Sequence, residues 1–130
     1  MNSSRARISV FRTFLTAALL GILFLATTPI ACPIGSDIND KLNHVAAFFV
    51  LAVLMDFSFP ETKNRPALTL ALLGYGAAIE IIQHFLPWRM FSLLDVAADA
   101  LGIACGQTAL FVLRKRARRS LTENNRRQMD

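Results

Sequence analysis

The chain has 130 residues, of which 54% are hydrophobic and only 18% charged. A soluble domain carries about 25% charged residues, so an ordinary globular protein is excluded, and the length leaves room for one membrane domain without a second folded unit. The net charge is +5, yet nucleic acid is not the expected partner: Arg114, Lys115, Arg116, Arg118 and Arg119 directly follow an apolar stretch with no aromatic residue between them, as in a cytoplasmic flank facing anionic lipid.

The apolar residues fall in four blocks. The first runs from Val10 to Ile30, with Arg5 and Arg7 ahead of it and Arg12 at its start. The others run from Leu42 to Phe59, Ala67 to Leu86 and Ser92 to Leu113. A helix of about 20 residues crosses the roughly 30 Å of hydrocarbon. None of the blocks alternates as a barrel strand would, and backbone groups in lipid must bond internally, so helices remain. The predicted fold is all-α: an integral membrane bundle of four transmembrane helices, 10–30, 42–59, 67–86 and 92–113, with a segment 1–9 before it and a basic tail 114–130 after it. The polar stretch from Leu121 to Asp130 is expected to fray. Short connections make neighbouring helices antiparallel.

The first block has a competing reading as a cleaved signal ending at Cys32. Pro29 stands where lipoprotein signals prefer an aliphatic residue, and the apolar run exceeds a usual signal core, so retention is expected. Cys32 and Cys105 show no metal spacing; neither a disulfide nor a zinc site is expected.

Orientation follows from Lys and Arg. Twelve lie in the amino-terminal segment, at Lys63 and Arg65, or in the tail; Lys41 and Arg89 are the two on the other side. Both termini are therefore expected in the cytoplasm of a bacterial inner membrane.

Ionisable residues inside a span are costly and call for a reason. Asp40 and His44 are four apart, as are Glu80 and His84 and also Asp95 and Asp99, while Gln83 stands three beyond Glu80. Each set shares a helix face. With antiparallel helices, the start of the second, the end of the third and the start of the fourth meet at the periplasmic end, where Arg89 occupies the turn. Glu80 lies about 9 Å inside, from six residues of rise. The expectation is a polar pocket among these three helices. Bland readings stand beside it: Asp40 and Asp95 as helix caps, His44 and His84 as satisfied packing residues, and Gly102 with Gly106 as a small-residue packing stripe.

Asp40-Lys41, His44, Glu80, Gln83, Pro87, Arg89, Asp95, Gly102 and Gly106, taken in order, resemble the VanZ-like family of membrane proteins, named for a teicoplanin-resistance protein. The resemblance covers about 37–113. At Asp99 the chain has a charged group where the family usually has an amide. The resemblance implies a helical membrane protein linked, in its named member, to susceptibility to a lipophilic glycopeptide; it implies no settled activity, and the cofactor is unknown.

Three functions remain open. One is binding of a lipid-linked or amphiphilic envelope molecule by Asp40, Lys41, His44, Glu80, Gln83, Arg89, Asp95 and Asp99. Another is an envelope enzyme with Glu80, His44 and Asp95 as acid–base candidates, for which a metal-assisted variant would use His44, Glu80, His84 and Asp95; no recognised metal motif is present. The third is a structural or accessory subunit. Membrane lipid is the one partner common to all.

The charge pattern predicts that reporter fusions after Arg119 and between Lys63 and Arg65 read as cytoplasmic, and fusions near Ser36 as periplasmic. A carboxyl-terminal fusion active only in the periplasm would overturn this orientation.

Overall fold

Each apolar block becomes a helix because lipid offers backbone N–H and C=O groups no partners but one another. The computed structural model describes residues 3–29 and 37–127. Among these, every regular element is a helix: α1 (Ser3–Thr27), α2 (Asp37–Ser58), α3 (Arg65–His84) and α4 (Leu93–Arg127). All four are long and apolar enough to span a membrane, so the chain is an all-α, multi-pass membrane bundle. Cys32 lies outside the described residues. Cys105 is a free thiol on the exposed side of α4.

The helices outrun the apolar blocks. α1 starts seven residues before Val10 and α2 five before Leu42. The positive end of a helix favours acids, and Asp40 falls in the opening turns of α2. The largest difference is α4, which continues through the basic tail to Arg127 instead of fraying from Leu121. That stretch is half Arg or Lys and contains neither Gly nor Pro, so nothing in it breaks a helix already nucleated in lipid. α3 begins where Asn64 caps it by accepting from the Ala67 N–H (3.2 Å), with Pro66 just inside.

α2 and α4 form the most extensive contact in the bundle, with α1 on the other side of α2 and a lighter α3. The cause is local. A Cβ at Gly102 would collide with the Val45 carbonyl of α2, and one at Gly106 would lie 3.0 Å from the Phe49 carbonyl and from Ala52 Cβ. Glycine at these two places lets the backbones touch, the usual means of association where lipid removes the hydrophobic drive between helices. Phe48, Leu51, Ala52 and Ile103 fill the seam, with Leu15 from α1 and Leu72 from α3. Outward, Phe14, Leu20, Phe24, Leu70 and Phe111 are exposed. In water these would be an aggregation hazard; in a bilayer they are the lipid-facing surface.

The end of the bundle carrying the basic residues is tied by one acid. Asp56 of α2 accepts from Arg65 of α3 through Oδ1 and from Arg114 of α4 through Oδ2. Arg12 of α1 donates to the Ser58 carbonyl (3.1 Å) and lies 5.0 Å from the Phe59 ring centre. All four helices are thus pinned near this end.

Overpacking a tight seam typically costs about 1–3 kcal/mol. Gly102→Leu should therefore lower the thermal stability of the purified protein in detergent clearly. Gly74→Ala, where an added Cβ meets nothing within 4 Å, should leave it unchanged or slightly raised. Equal behaviour of the two variants in a circular dichroism melt would show that the α2–α4 approach does not hold the bundle.

Candidate functional site

The opposite end gathers acids. α2 contributes Asp40, Lys41 and His44 from its first turns, α3 contributes Glu80 from its last, and α4 contributes Asp95 and Asp99 from its first. Period 3.6 stacks Asp40 over His44 and Asp95 over Asp99. The close α2–α4 seam then sets the two stacks face to face.

The result is a ladder of cross-helix pairs. His44 Nδ1 and Asp99 Oδ1 are 2.8 Å apart. One turn toward the surface, Lys41 Nζ lies 3.8 Å from Asp95 Oδ1. The His44–Asp99 pair is the more enclosed, with Asp99 only 1% exposed. Gly76 of α3 makes room for it: a Cβ there would strike Asp99 Oδ2 and come within 3.0 Å of Phe48. With Nδ1 engaged by the carboxylate, Nε2 is the ring nitrogen left for another partner.

Glu80 is fully buried. Its Oε2 accepts from the Ser92 N–H at 3.0 Å, one of the donors just ahead of α4, so a negative group sits at the positive end of that helix. This bond clamps the α3–α4 turn. Glu80 also interacts electrostatically with Asp95, His44 and Asp99, and His44 with Asp99, Asp95 and Asp40. Three buried carboxylate oxygens have no hydrogen-bond partner: Glu80 Oε1, Asp95 Oδ1 and Asp99 Oδ2. Such atoms are rare in folded proteins; of the three, Asp95 Oδ1 has Lys41 Nζ 3.8 Å away.

Other sequence-nominated residues are placed elsewhere. Gln83 turns away from the cluster and donates from Nε2 to the Ala26 carbonyl of α1 (3.1 Å), while Trp88 Nε1 donates to the Thr27 carbonyl (3.3 Å). These carbonyls end α1 and have no helical partner of their own. Together with Tyr75, whose hydroxyl donates to the Leu19 carbonyl (2.5 Å), they fasten α1 to α3. Gln83 is therefore a helix cap in this structure. Arg89 is half-buried in the turn and pairs with neither Asp95 nor Glu80; among the described residues its side chain forms no ion pair or hydrogen bond. His84 is exposed and meets Phe85 and Phe91 edge-on, outside the cluster.

Asp40, His44 and Asp95 each offer one ligand atom, all within 4.8 Å of one another. This set differs from the metal combination open to the sequence, because His84 and Glu80 drop out and Asp40 enters. The missing signal was rotational: spacing along α2 puts Asp40 and His44 on one face, but only the glycine-mediated seam aims that face at Asp95. A cavity of about 590 Å³ lies farther along α2, α3 and α4, between Leu72 and the Asp56–Arg65–Arg114 group, and is walled chiefly by apolar side chains such as Leu68, Leu110 and Phe111.

The sequence model of the VanZ/LLP1 family matches residues 3–114. An uncharacterised protein of Schizosaccharomyces pombe is 37% identical over 68 residues, covering 50% of this chain and 42% of its own length. The chain thus spans under half of the curated relative that it matches. No solved structure matches the chain.

The Gly76–Asp99 contact yields a test of the ladder. Gly76→Ala should displace Asp99 and destabilise by about 1–3 kcal/mol, the usual range for overpacking. Adding Asp99→Ala removes the clash, so the double variant should recover at least about 0.5 kcal/mol relative to the sum of the singles, as contacting residues do. Additive losses in a detergent melt would place Asp99 away from Gly76.

Proposed function

The chain belongs to the VanZ/LLP1 family, and we propose that it binds a lipid-linked or amphiphilic cell-envelope molecule at the acid-rich end of its bundle. One observation carries this reading: the buried carboxylate oxygens Glu80 Oε1 and Asp99 Oδ2 accept no hydrogen bond where three helices converge. Leaving a charged acceptor unmet in an apolar setting is expensive. A head group bearing hydroxyl or ammonium donors would satisfy them. Lys41, about one-third exposed beside Asp95, and Arg89, half-buried and unpaired among the described residues, supply charge for an anionic portion of the same molecule. The apolar cleft on α2, α3 and α4 suits a hydrocarbon tail, since its volume of about 590 Å³ falls within the range of roughly 300–1,000 Å³ usual for ligand pockets.

In this reading the protein sits in a bacterial inner membrane with both termini in the cytoplasm and the acid-rich end toward the periplasm, as the distribution of Lys and Arg supports. A link to glycopeptide susceptibility rests on the family resemblance. One observation favours a second, enzymatic reading: His44 is oriented by a carboxylate at 2.8 Å, the arrangement that prepares an imidazole as a general base.

Glu80→Gln is the decisive substitution. The amide oxygen still accepts from the Ser92 N–H, so the turn and membrane abundance should persist, while the charged acceptor is lost. Mass spectrometry of lipid extracts from the purified protein should show an amphiphile bound near one per chain in the wild type and depleted at least about tenfold in the variant, equivalent to about 1.4 kcal/mol. Glycopeptide susceptibility of cells expressing each form should move in parallel. Unchanged amphiphile content and unchanged susceptibility at normal abundance would remove the proposal.

A further inference from the structure

We propose that Asp40, His44 and Asp95 form a binding site for a divalent first-row metal cation. The ligand atoms of these residues lie within 4.8 Å of one another. Around an ion with bonds of about 2.0–2.2 Å, neighbouring ligand atoms lie roughly 3.0–3.6 Å apart. Closing the set onto a cation thus needs shifts of about an ångström, within the rotamer freedom of partly exposed Asp40 and His44.

Charge balance points the same way. The acid-rich end holds Asp40, Glu80, Asp95 and Asp99 against Lys41 and His44. Even with the imidazole protonated, the acids outnumber the cations by two. No Lys or Arg occurs in 30–36, the connection that enters this end, and Arg89 engages none of the four acids. Buried carboxylates are found paired or coordinating metals, and two cations do not neutralise four acids. The independent mark pointing to a cation is on fully buried Glu80, whose Oε1 accepts no hydrogen bond; on Asp95, a member of the set, Oδ1 likewise accepts none and has Lys41 Nζ at 3.8 Å.

The surroundings of His44 have the form that metal sites share. A ligating histidine donates its other ring N–H to a carboxylate, which fixes the ring and raises its basicity. Asp99 holds His44 Nδ1 at 2.8 Å and leaves Nε2 for the ion. One imidazole with two carboxylates suits Mn²⁺ or Zn²⁺ better than a soft ion such as Cu⁺. Three protein ligands leave coordination positions open, and Lys41 beside Asp95 then meets an anionic group carried by whatever fills them. A cation would let the acid-rich cluster accept a phosphate or carboxylate. The site does not depend on the amphiphile reading, and its test involves no amphiphile.

The full chain, purified in detergent and stripped with a chelator, should be titrated with Mn²⁺ by electron paramagnetic resonance and with Zn²⁺ by calorimetry. The expected result is one saturable ion per chain, weakened at least tenfold by Asp95→Asn and by His44→Gln, and retained by His84→Gln, which alters the exposed histidine outside the set. Electron spin echo modulation of the Mn²⁺-loaded wild type should show nitrogen coupling from one imidazole, so the test stands even if a variant fails to fold. Absence of saturable binding, absence of nitrogen coupling, or binding that survives both Asp95→Asn and His44→Gln would overturn the proposal.

Discussion

The contact between the backbones of α2 and α4 is the constraint from which the rest follows. Gly102 and Gly106 allow it, and no larger residue fits at Gly102 against the Val45 carbonyl. Without that approach, His44 and Asp99 would face across a gap, Lys41 would not reach Asp95, and four acids would sit in hydrocarbon without cross-helix partners. In lipid, packing is set by shape before polarity, because the solvent gives apolar side chains no reason to cluster. Small residues set the distance, and the distance sets the electrostatics.

The two ends of the bundle handle charge in opposite ways. At the basic end, one carboxylate is shared by two guanidiniums, and the excess is positive and largely exposed. At the acid end, the excess is negative and largely buried. A structural cluster is expected to be closed, as Asp56 is, with both oxygens occupied. The acid end is open in that sense: Glu80 and Asp99 each have one oxygen bonded and one not.

Much of this was legible in the sequence. The number of helices follows from block length, and the meeting of the acidic clusters at one end follows from alternating direction. Spacing of four within Asp40–His44 and Asp95–Asp99 placed each pair on one face. What sequence could not supply was rotation about each helix axis. Gln83 shares a face with Glu80 by spacing, yet its side chain reaches α1, because the terminal carbonyls of that helix lack partners and lie within its range. Arg89 is near Asp95 in sequence, but it is Lys41 from α2 that lies against that carboxylate. The length of α4 was hidden for another reason. Hydropathy ends at Leu113, whereas helix propensity does not, and only the first of these marks the membrane.

That unbroken α4 has a mechanical meaning. Its 35 residues amount to about 52 Å of rod at 1.5 Å per residue, while the bilayer core takes up about 30 Å. Roughly two-fifths of the rod therefore stands outside the hydrocarbon, continuous with the part that carries Asp95 and Asp99. A helix without Gly or Pro has no joint in which a turn or tilt can dissipate. Any rotation of α4 within the bundle is transmitted along its axis like torque along a shaft, and swings the basic face from Arg114 to Arg126 through the same angle.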